Sequence, residues 1–147
     1  MKDTLMMTCL KKWIIPATLA LVFACVYEMF ILKTFLMDDI LATEHIWRDW
    51  QNGIEQAHIY AAIAGILMMF TALKIFKVGY NNTGLMEGIR FGALLGLFVG
   101  LMMFAMQGVL PISFELAAKL LVFPIIEFMG IGFIFAFTAS KCPICSK

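Results

Sequence analysis

Four apolar stretches, at about 13–37, 54–76, 89–110 and 116–139, dominate the chain. Each reaches the roughly 20 residues that cross the hydrocarbon core of a bilayer. Hydrocarbon offers the backbone no hydrogen-bond partner, so a segment placed there must satisfy itself, and each stretch is predicted to be an α-helix. Period-two alternation of apolar and polar residues is absent, which removes a β-barrel. Composition agrees: 63% of the 147 residues are hydrophobic, against roughly 45–50% for a soluble domain. The expected fold is all-α, one polytopic four-helix membrane bundle spanning 1–147.

Lysine and arginine set the expected direction of the helices. Lys2, Lys11 and Lys12 precede the first helix, Lys74, Lys77 and Arg90 flank the second loop, and Lys141 and Lys147 end the chain. The first loop holds Asp38, Asp39, Glu44 and Asp49 against Arg48. Both termini are therefore predicted to be cytoplasmic, in a multi-pass protein of the cytoplasmic (inner) membrane. The first stretch continues about 12 residues past Cys25, longer than a cleaved signal sequence, so it is read as retained. In the first external loop, Ile40, Thr43, Trp47 and Trp50 recur at helical spacing, and a short interfacial helix is expected there. An ordinary loop with an aromatic belt is the rival. Asn81-Asn82-Thr83-Gly84 is a turn signal.

The third helix carries the most regular pattern. Gly84, Gly88, Gly92, Gly96 and Gly100 fall at every fourth position. Glycine costs roughly 1 kcal/mol per helical position relative to alanine, so a run in register needs a compensating contact. A bare stripe lets another backbone approach closely. Ala57, Ala61 and Gly65 repeat the spacing in the second helix, and helices two and three are expected to pack along these stripes. The alternative is that the stripe meets another copy or a partner subunit. Pro124, inside the fourth helix, removes one backbone hydrogen bond and should bend it.

Polar groups at membrane depth are the candidates for chemistry. Glu28 lies about 22 Å along the first helix from Trp13, and Glu127 about 18 Å along the fourth from Glu115. Both should face the bundle interior. Glu55 and His58 share a face of the second helix, and Gln107 ends the third, so Glu28, Glu55, His58 and Gln107 could form one polar cluster. It reads either as a proton or cation site or as a hydrogen-bonded network fixing helix register. Glu-x-x-His is also half of a carboxylate-bridged di-metal site, and the sequence holds no second copy of the motif. Cys25, in mid-helix, reads as a small packing residue.

The tail, 140–147, contains Cys142-Pro143-Ile144-Cys145. Two thiolates at this spacing supply half of a tetrahedral zinc site or a thiol-redox pair, and a plain cytoplasmic tail is the third reading. Zinc at Cys142 and Cys145 is the one cofactor the sequence suggests. There is no phosphate-binding glycine loop, haem motif or nucleophile elbow. The net charge of +1 and the lack of a basic run argue against a nucleic-acid partner.

Leu85-Met86-Glu87-Gly88-Ile89-Arg90-Phe91-Gly92-Ala93-Leu94-Leu95-Gly96-Leu97, the Leu110-Pro111-Ile112-Ser113 turn and Trp47-Arg48 resemble a family of small, uncharacterised bacterial four-helix integral membrane proteins. The resemblance covers about 28–132 and implies the fold without an activity. It also implies an acid in helix one, where Glu28 stands in place of the family's aspartate; the histidine that follows that acid in the family is not found here. The leading functional expectation is a non-enzymatic accessory or structural subunit, embedded in the lipid bilayer and packed against other membrane subunits or itself. The alternatives are an oligomeric transporter of protons, cations or small solutes using Glu28 and Glu127, and a thiol- or metal-handling protein using Cys142 and Cys145.

Overall fold

The computed structural model describes residues 2–43, 50–81 and 83–140, with side chains from residue 14 in the first segment and from 59 in the second. All the elements found there are helical. Helix α1 (Lys2–Ile31) runs through a π-helical segment (Leu32–Leu36) into α2 (Met37–Ala42). Helix α3 (Trp50–Gly79) follows, then α4 (Leu85–Ala105) with a short 3-10 turn (Met106–Gly108), and α5 (Phe114–Ser140). Four segments are long and apolar enough to cross a membrane: Ile14–Ala42, Ile59–Gly79, Leu85–Gly108 and Phe114–Ser140.

The helices end where local chemistry supplies partners for their free backbone groups. The Thr43 hydroxyl donates to the Asp39 carbonyl (2.8 Å) and closes α2. The Leu116 N–H donates to Ser113 Oγ (3.1 Å), so Ser113 caps α5. Before α4 the chain turns at Gly84, whose φ of +106° lies where side chains are rarely tolerated. Glu87 then folds back to accept from the Asn81 N–H (2.6 Å), the Thr83 N–H (3.0 Å) and the Thr83 hydroxyl (2.9 Å), in the manner of a capping box.

Helices α4 and α5 make the closest pairing. Gly88, Gly92, Gly96 and Gly100 are all buried. A Cβ at Gly92 would collide with the carbonyl of Phe128, one at Gly88 with Gly132, and one at Gly100 with Leu121. A Cβ at Gly96 would stand 2.6 Å from the carbonyl oxygen of Pro124. The contact is reciprocal, because a Cβ at Gly132 would meet the Gly88 carbonyl. Backbone thus lies on backbone along the whole stripe, the close approach that small residues permit.

Two expectations are corrected here. The stripe does not meet the second long helix. Ala61 is exposed, nothing lies within 4 Å of where a Cβ on Gly65 would be, and the side chain of Ala57 lies outside the described set. Helix α3 approaches α4 instead through Phe76 and Phe91, whose ring centres are 5.3 Å apart. Flat aromatic surface does there what small residues were expected to do. Gly84 also leaves the stripe: a Cβ there would touch nothing, and its glycine serves the backbone turn.

The main core joins α1, α3 and α5. Ala17, Ala20 and Ala24 of α1 meet Met69, Ala72, Leu73 and Phe76 of α3 and Phe128, Ile131 and Phe135 of α5. Among the described side chains of α3, those from 59 to 68 do not join it; Ile59, Tyr60 and Leu67 are 58%, 67% and 62% exposed. Helices α1 and α5 run antiparallel, since Phe23 lies over Gly130, Tyr27 reaches Phe123 and Asp39 reaches Lys119. The separate interfacial helix is not supported: Ile40 belongs to α2, Trp50 opens α3, and 44–49, including Trp47, lie outside the described residues.

Candidate functional site

Helical register brings the two carboxylates together. Glu28 stands four residues after the buried Ala24 and three before the buried Ile31, at the exposed edge of that face of α1. Glu127 stands four before Ile131, in line with the buried face of α5. Because the helices are antiparallel neighbours, both acids reach the same gap, a cleft of about 600 Å³. Its walls are Cys25, Tyr27, Glu28, Met29, Ile31, Leu32 and Leu36 on one side, and Leu120, Phe123, Pro124 and Glu127 on the other.

Both walls depart from regular α-helix at the cleft. Leu32 and Leu36 bound the π-helical segment, a distortion often found where side chains are re-aimed at a site. Pro124 has no N–H, so the Leu120 carbonyl loses its usual intrahelical donor beside the cleft. The Tyr27 hydroxyl donates to the Phe123 carbonyl (3.1 Å), tying the walls together. The rings of Phe35 and Phe123 meet above it at 5.6 Å.

The electrostatics are one-sided. Glu28 and Glu127 lie within each other's field, and Tyr27 lies within that of Glu127. Among the described residues neither acid has a hydrogen bond or ion pair, and no lysine, arginine or histidine lines the cleft. Of the nearby lysines, Lys119 binds Asp39 (2.7 Å) and Glu115 (2.9 Å) at one end of the helix pair, and Lys33 lies exposed in the π-helical segment without lining the cleft. Counting along the helices, the carboxylates lie roughly 12–16 Å below that charged end. One expectation is corrected: the bundle covers the alanine face of α1, so Glu28, expected to face the interior, is exposed along the open side, while Glu127 is half-buried.

The polar cluster expected from the sequence is therefore rearranged. Glu28 shares the cleft with Glu127 and Tyr27. Gln107 is half-buried in the 3-10 turn and does not line the cleft. The side chains of Glu55 and His58 lie outside the described residues, as do Cys142 and Cys145 with their possible zinc. Among the described residues no group of three or more metal-binding side chains occurs. Cys25, expected to pack, is exposed on the cleft wall. Sequence reasoning gave no site role to Tyr27, Asp39 or Lys119; the signal available for the last pair was opposite charge at helix ends placed on the same side. Compared with known proteins, the chain matches no family model, no curated protein and no solved structure.

Proposed function

We propose that this chain is a multi-pass protein of the cytoplasmic membrane that carries protons or cations through the Glu28–Glu127 cleft. The observation behind this reading is the convergence of two carboxylates, without ion-pair partners among the described residues, on one apolar cleft. Ionisable groups at membrane depth are costly, and they recur on ion and proton paths. The glycine stripe, which favoured a partner-packing role, is occupied by α5 within the same chain. With the lysine-bearing ends inside, both termini are cytoplasmic and the Asp39–Lys119 end faces out. Self-association completes the pathway, because four helices enclose little space alone. The chain is not an enzyme on this reading. In liposomes, Glu28→Gln and Glu127→Gln abolish proton or cation flux while insertion is retained; flux equal to the parent protein's sinks the proposal.

A second reading, a non-enzymatic accessory subunit, is favoured by the open strip at Ala61 and Gly65 of α3, where a partner helix could approach. It predicts co-purification with a larger membrane complex in mild detergent, and recovery as a lone protein counts against it. A thiol or zinc role for Cys142 and Cys145 rests on their spacing alone.

A further inference from the structure

We infer that the cleft between α1 and α5 takes an organic cation with an apolar body, admitted from the lipid side. This rests on the cation-carrying reading and narrows its substrate class. A volume of about 600 Å³ is that of a site for a drug-sized molecule, far more than a proton or bare metal ion needs. Hard cations draw about six or more oxygens into one tight shell, whereas the carboxylates here come from two helices on facing walls of a cleft of about 600 Å³.

A bulky organic cation holds water weakly and makes no such demand. Its charge would sit between Glu28 and Glu127, and its body against Leu32 and Pro124. Tyr27 and Phe123 line the same space and add aromatic surface, which attracts cations. Charge complementarity selects this occupant. A lipid tail or a neutral solute would leave two carboxylates covered and unpaired, at a desolvation cost with nothing to offset it. The open side runs along Glu28 and Met29, which face outward from the helix pair, and at membrane depth that direction is lipid.

The test is equilibrium binding of tetraphenylphosphonium to the purified full-length chain in lipid nanodiscs, with tetraphenylborate as the shape-matched anion. The expected result is saturable binding of the cation alone, weakened about tenfold or more by Glu28→Gln and by Glu127→Gln. Leu32→Trp, which keeps both acids and narrows the cleft, weakens it as well, so the result does not depend on a carboxylate variant folding. Equal binding of the anion, indifference to all three substitutions, or a dimer that excludes the cation overturns the inference. If tetraphenylphosphonium does not bind while proton flux still requires Glu28 and Glu127, the inference falls and the proposed function stands. If flux and binding are both absent, both fall.

Discussion

Tyr27 of α1 donates its hydroxyl to the backbone carbonyl of Phe123 on α5, and this bond ties together the two helices that wall the acidic cleft. The carbonyl belongs to the residue before Pro124, in a stretch where the helix already lacks one of its own donors. A cross-helix donor placed there steadies the irregular turn. Tyr27→Phe keeps the ring stacked on Phe23 and removes only the hydroxyl. It should cost about 1 kcal/mol of stability, read as a lower unfolding temperature in detergent. An unchanged temperature would mean that the bond is replaced by solvent without loss.

The glycines separate two uses of the same residue. Gly92→Ala drives a methyl into the Phe128 carbonyl, and neither backbone can yield without parting α4 from α5. The expected loss is about 3 kcal/mol or more, at the upper end of overpacking effects. Gly65→Ala enters open space, and should gain up to about 1 kcal/mol from helix propensity. Thermal unfolding of the two variants side by side checks the contrast. If Gly65→Ala instead breaks a complex found in native membranes, the accessory reading gains.

Ahead of α4, Gly84→Ala should cost about 1–3 kcal/mol through backbone strain alone, since no neighbour would touch the new methyl. Glu87→Ala should cost no more than about 1 kcal/mol, because water competes for the exposed carboxylate. Combined, the two losses should fall short of their sum, as both act on one turn. Strict additivity would show that the turn and its cap work independently.

Lys119 bridges Asp39 and Glu115 and so pins α2 to the start of α5. Asp39→Asn and Lys119→Met should each lower the unfolding temperature, and the double variant should be little worse than either. Raising the salt concentration should shrink the difference from the parent protein. Fully additive losses would place the contribution of each residue elsewhere.

Much of this was legible in the sequence, for physical reasons. Long apolar runs have few alternatives, so the four helices were found, although π and 3-10 turns carried the first and third beyond their expected form. The buried glycines were visible because a costly residue in register needs a cause. Their partner was harder to see, because the small residues of α5, Gly132, Ala136 and Ser140, cover only its last turns and Pro124 and Phe128 face the rest of the stripe, while α3 offered a decoy in Ala57, Ala61 and Gly65. The two carboxylates were singled out one at a time. That they meet depends on α1 and α5 being neighbours, which loop order alone does not state.

The backbone-to-backbone seam of α4 and α5 has a consequence for how the protein is made. Its two sides are joined by a short turn and are consecutive, so this hairpin can close as soon as both its helices have been made. The alanine face of α1, by contrast, is synthesised first and finds Phe128, Ile131 and Phe135 only when the last helix arrives. The acidic cleft, with one wall from each end of the chain, is therefore the last part of the molecule to come into being during biogenesis.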